Sequence, residues 1–172
     1  MSEYLQTSRL ILRNFIPEDF PAVFFWRNDP DCAKFQRWED ISAEAIGCYL
    51  TRHREDVFLS EKAEQHYAIA APSGAVLGEL ACFCNPEDRC ITLGITIAPA
   101  HQGQGLAYEL LAAVIDRIRR VYPGLDIVGL IQPENSASIA LFRKLGFTLE
   151  CYAESINSCV YTIFAENGPN GT

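Results

Sequence analysis

The chain has no Cys-x-x-Cys pair, and its seven cysteines are an odd number, so a disulfide framework does not account for them. Cys82, Cys84 and Cys90 lie close together, but at the wrong spacing for a zinc knuckle and with no histidine nearby. Reduced thiols, mostly buried and behaving as small apolar residues, are the expectation. His53, His66 and His101 form no ligand spacing, so no metal is expected. No apolar run is long enough for a membrane helix. The start Met1-Ser2-Glu3-Tyr4 lacks the basic-then-apolar order of an export signal. No membrane partner is expected, and the cytoplasm is the default location. Bases are outnumbered as well: 14 Lys and Arg face 22 Asp and Glu, a net charge of −8. An acidic surface argues against nucleic acid as a partner and mildly favours a cationic amine by steering.

What the chain does have suits one folded domain. Its 172 residues are 49% hydrophobic and 21% charged, enough for a core without staples. The expected boundaries are 1–167 for the domain and 168–172 for a loose tail. The informative stretch is Ile91 to Gln132. An apolar strand, Ile91 to Ala98, leads through Pro99-Ala100-His101 to the turn Gln102-Gly103-Gln104-Gly105-Leu106-Ala107. From about Gly105 to Tyr122 the residues Leu106, Leu110, Leu111, Val114, Ile115 and Ile118 recur at three- and four-residue steps, one stripe of a helix. Leu125 to Ile131 then reads as a strand buried on both faces.

Glycines ahead of a helix let a ligand approach the backbone, and the first N–H groups of the helix lack intrahelical partners. With the helix dipole they make an anion site, most often for phosphate. A Walker loop would need Lys-Ser or Lys-Thr after its second glycine, and there is none. A dinucleotide fingerprint would need a small residue where Tyr108 stands.

Elsewhere the chain alternates over Arg9–Asn14, a first strand. A helix follows from Glu18 to Arg27, opened by Pro17 and broken at Asn28-Asp29-Pro30. Ser42 caps another that runs to about Arg54. Strands are expected over Tyr67–Ala71, Ala75–Cys84, Thr148–Glu154 and Cys159–Phe164, with Asn135 capping the helix before the last two.

Gln102-x-x-Gly105-x-Ala107 resembles the Gln/Arg-x-x-Gly-x-Gly/Ala signature of the GNAT N-acetyltransferases, whose turn holds the coenzyme A pyrophosphate. Thr7-Ser8-Arg9-Leu10-Ile11-Leu12-Arg13 with Pro17-Glu18-Asp19 looks like the opening of the Rim-type branch, which acetylates ribosomal-protein N-termini and many small amines. Pro133 to Phe147 resembles the family's second conserved helix, and Glu150 stands where the Rim branch carries an acid. The resemblance implies an α/β (α+β) fold: a mixed, mostly antiparallel sheet of about six to seven strands with about four helices, built around a central strand–helix–strand cofactor unit. It implies transfer of the acetyl group of acetyl-CoA to a primary amine, a protein N-terminus or a small molecule, by direct attack. The implied cofactor contacts are Ile95, Ile97, Ala98, Gln102, Gly103, Gln104, Gly105, Leu106, Ala107, Asn135 and Phe142. Arg143 and Lys144 would add positive charge. The acceptor pocket would draw on the first two helices, with Trp26, Phe35 and Trp38 as pocket or core residues.

The chain departs from the family where proton transfer is concerned. Phe142 replaces a common tyrosine acid, and Leu130 stands where a base glutamate can occur. Ser138 as donor to the thiolate, Glu150 as base and Glu79 as an outside candidate remain. Relatives are monomers or dimers. An acyl-CoA-binding sensor or scaffold without catalysis is the alternative.

Overall fold

The first alternating stretch folds as half of a hairpin. β1 (Glu3–Gln6) pairs antiparallel with β2 (Ile11–Arg13), and Thr7 closes the turn. The Thr7 N–H donates to the Leu10 carbonyl at 2.8 Å, and the Thr7 hydroxyl accepts the Leu10 N–H at 3.0 Å. Pro17 opens a 3-10 turn, Pro17–Asp19, leading into α1 (Phe20–Arg27). Asp19 accepts both terminal nitrogens of Arg13, at 2.7 and 2.8 Å, and both residues are buried. Each charge is out of water only because the other partners it. Asn28-Asp29-Pro30 ends α1, as expected, but also starts α2 (Pro30–Ala33), with Asp29 accepting the Cys32 N–H at 2.9 Å. The Ser42 hydroxyl accepts the Ala45 N–H at 3.2 Å and caps α3 (Ala43–Arg52), which stops short of Arg54.

β3 (Gln65–Ala70), β4 (Val76–Asn85) and β5 (Cys90–Ile97) follow. α4 (Leu106–Val121) and β6 (Asp126–Ile131) complete the crossover, and α5 (Ser136–Lys144), β7 (Thr148–Ala153) and β8 (Ser158–Ile163) come last. The computed structural model describes residues 3–61 and 64–165. The expected tail, 168–172, lies outside the described residues. The strands form one mixed, mostly antiparallel sheet in the order β1-β2-β3-β4-β5-β6-β8-β7, with β5 and β6 parallel. Eight strands and five helices among the described residues slightly exceed the expected counts. β1 and α2 make the difference, each only 4 residues long and too short to show a period.

The chain divides into two compact units: Met1–Phe58 with Gln65–Ala81 and Ile95–Ala107, and Leu59–Glu64 with Cys82–Gly94 and Tyr108–Thr172. In the first, Phe15, Val23, Trp26, Ile46, Leu50 and Ala68 form a buried cluster with Phe20, Trp38 and Tyr49 packed against it. Trp26 is therefore core, while Trp38 stays half-buried. In the second, Leu110, Leu111, Val114, Ile115 and Ile118 bury the α4 stripe as the spacing predicts. β6 corrects the expectation of burial on both faces. Ile127, Gly129 and Ile131 are buried, but Leu130 is 42% exposed, so the apolar run covers one face.

All seven cysteines are free, but only Cys32, Cys82 and Cys84 are buried; Cys48 and Cys151 are exposed. Burial pushes the Cys82 thiol up to about 12 and, with nearby Asp29 and Glu79 adding to it, the Cys32 thiol to about 11. Both stay protonated, as buried apolar residues.

Candidate active site

The turn after β5 is held from inside the first unit. Its leading glutamine serves the backbone: Gln102 Nε2 donates to the Ile97 carbonyl at 2.9 Å and ties the turn to the strand end. The Ala98 N–H donates to the Leu77 carbonyl at 2.8 Å, and a 3-10 turn over Pro99–His101 brings the chain round. Gly103 and Gly105 both adopt left-handed backbone, at φ 73° and 76°, which a side chain would resist. Arg9 braces the turn from below, its Nη1 donating to the Gln104 carbonyl at 3.0 Å.

Gly103, Gln104 and Gly105 are exposed, and no hydrogen bond within the described residues engages their N–H groups. A Cβ at Gly103 would meet nothing within 4 Å. α4 begins at Leu106, so its own first N–H groups follow directly. Open donors, open space and a helix start suit a diphosphate. Within the second unit, Lys144 Nζ lies 4.6 Å from the Tyr108 ring centre.

Glycine has a second use here. A Cβ on Gly78 of β4 would lie 2.2 Å from the Thr96 carbonyl oxygen of β5, so only glycine lets the strands approach. Glu79 comes next and stands beside the Ile95–Ala98 stretch. It is buried, with Arg27 Nη2 donating to its two oxygens at 3.1 and 2.9 Å and the Tyr49 hydroxyl donating to Oε2 at 3.2 Å. Arg27 also contacts the Tyr49 and Trp38 rings, its Cζ 3.8 and 4.8 Å from their centres. Sequence reasoning did not foresee Arg27, Tyr49 or Arg9 in these roles. Arg27 reads only as a cation closing α1, and residues 27, 49 and 79 share no local pattern.

In the second unit, Asn135 Oδ1 accepts the Ser138 N–H at 3.2 Å, the expected cap on α5. Ser138 is half-buried, and its hydroxyl makes no hydrogen bond among the described residues. Phe142 is buried over β6, where a Cβ on Gly129 would fall 2.2 Å from its Cε1. It also packs on Phe147, ring centres 4.7 Å apart. Glu150 is exposed on β7 and accepts the Thr162 hydroxyl at 2.6 Å. The parallel β5–β6 register covers Cys90–Thr92 against Asp126–Val128.

Comparison with known proteins agrees with this geometry. The N-acetyltransferase YnaD of Bacillus subtilis is 22% identical over 147 residues, 86% of this chain and 84% of its own. A GNAT-family acetyltransferase structure from Bacillus anthracis superposes with a TM-score of 0.79 at 19% identity, covering 95% of this chain and 99% of that one. The ribosomal L7/L12 alpha-N-protein acetyltransferase RimL gives a TM-score of 0.78 at 20% identity, covering 95% and 94%. The model of the acetyltransferase (GNAT) domain matches residues 9–148, so the chain belongs to the GNAT acetyltransferase family.

Proposed function

We propose that the protein moves the acetyl group of acetyl-CoA to a primary amine by direct attack, and that it belongs with the Rim-type branch. The observation that carries the reading is the exposed turn Gly103-Gln104-Gly105, with two left-handed glycines and free N–H groups at the start of α4. Coenzyme A fits there through its diphosphate, with Gln102, Gly103, Gln104, Gly105, Leu106 and Ala107 as the cradle. Ile95, Ile97 and Ala98 are the strand residues we assign to the pantetheine arm, and Asn135 and Phe142 complete the set of cofactor residues that the family resemblance implies.

In direct attack the protein aligns amine and thioester, handles one proton and protonates the leaving thiolate. Glu79 faces the amine beside Ile95–Ala98, and Ser138 offers a hydroxyl free to donate to the thiolate. Glu150 is the second carboxylate, oriented by Thr162. The location we propose is the cytoplasm, as a monomer or homodimer.

The test is thiol release from acetyl-CoA with a panel of small amines, polyamines and N-terminal peptides. Acceptor-dependent release is expected. Tight acetyl-CoA binding with no release for any acceptor would instead support a sensor, the reading that Phe142 in place of a tyrosine acid favours.

A further inference from the structure

We infer that the acceptor is a small zwitterion, an amine with a carboxylate on the adjoining carbon, and that Glu79 takes its ammonium group while Arg27 takes its carboxylate. This names the substrate class of the acceptor site and rests on the acetyl-transfer reading above.

Arg27 carries the argument. It is only 5% exposed, yet its fork is not filled: Nη2 reaches Glu79, while Nε is buried with no hydrogen-bond partner among the described residues. A buried guanidinium ordinarily uses its fork, and an N–H left unmade in the interior is costly. The guanidinium is restrained by its contacts with the Tyr49 and Trp38 rings, whose centres lie 3.8 and 4.8 Å from Cζ. Its unpartnered Nε–H is therefore restrained in direction, and the two rings beside the guanidinium are themselves only half-buried. Arginine so placed matches a carboxylate in shape and charge.

Glu79 is the complementary half. Its Oε2 is taken by Arg27 at 2.9 Å and Tyr49 at 3.2 Å, but Oε1 has one longer contact, at 3.1 Å, and room to accept more. Burial first, and the Glu79 charge second, push the Tyr49 hydroxyl well above its ordinary range, so it stays a donor. The ion pair sums to zero charge. A polycation would meet no unbalanced carboxylate there, whereas a zwitterion offers each partner its opposite.

The experiment measures kcat/KM for each of the twenty L-amino acids and its methyl ester, with spermidine and N-terminal peptides alongside. At least one amino acid should exceed its own ester tenfold or more. At neutral pH the less basic ester amine has the larger unprotonated share, so such a preference does not come from amine reactivity. Esters equal to their acids throughout, or spermidine or peptides outrunning every amino acid, would overturn the inference and leave acetyl transfer standing. Should no acceptor release thiol, acetyl transfer itself fails. Calorimetric titration of the CoA complex with the same acids and esters then decides: saturable binding of an acid but not its ester supports the site, and any other result overturns it. Arg27→Lys should pull the acid-to-ester ratio toward one with acetyl-CoA affinity unchanged. If that variant does not fold, the wild-type comparison decides alone.

Discussion

Gly105→Val should weaken acetyl-CoA binding about 100-fold or more, read by calorimetry, while leaving the protein folded. The residue sits at φ 76°, where a side chain costs roughly 1–2 kcal/mol and a β-branched one more. The protein itself has room for the new Cβ, whose nearest neighbour would be Arg9 Nη2 at 3.7 Å. The damage therefore falls on the open side, where the diphosphate must reach the N–H groups. Each tenfold of affinity is about 1.4 kcal/mol, so losing two charge-assisted hydrogen bonds suffices. Gly105→Ala should lose about tenfold by the same logic. An unchanged dissociation constant for Gly105→Val would remove the turn from the cofactor site.

The second large effect is on stability. Gly129→Ala would place a methyl group 2.2 Å from Phe142 Cε1 and 2.6 Å from Cδ1. Phe142 cannot retreat, being buried and packed on Phe147. Overpacking of this kind costs roughly 1–3 kcal/mol, and a rigid ring against a strand backbone belongs at the top of that range. At roughly 2–4 °C per kcal/mol, the melting temperature should fall by about 6–12 °C. Phe142→Ala alone opens a cavity and should cost about 3–5 kcal/mol. In the double variant the methyl group enters that cavity, so the two losses should add to well under their sum. Additive losses in denaturant titrations would show that ring and glycine are not coupled.

These two glycines differ in how far the chain displayed them. Gly103 and Gly105 stand out because a strand, a turn and the apolar stripe of a 16-residue helix bracket them, and that order has a meaning in hydrogen bonds by itself. Asn135 was readable for the same reason, since a cap and the helix it opens are neighbours in sequence. Gly129 lies inside the apolar run Leu125–Ile131, with nothing beside it in sequence to single it out. Its purpose is a ring 13 positions away, on another element, and no local period records that. The isolated glycines of β4 and β6 were nonetheless a usable sign, because a strand gives up packing wherever it carries one. The setting of Glu79 was less visible still. Arg27 and Tyr49 meet it through tertiary packing, and Trp38, which reads as core more readily than as pocket, lies against Arg27.

Everything functional turns on whether the N–H groups after β5 receive an anion. The direct measurement is amide chemical shift in nitrogen-15-labelled protein titrated with coenzyme A. The Gly103, Gln104, Gly105 and Leu106 amides should move downfield together and saturate with the calorimetric affinity. Coenzyme A binding with those four resonances unmoved would contradict the account.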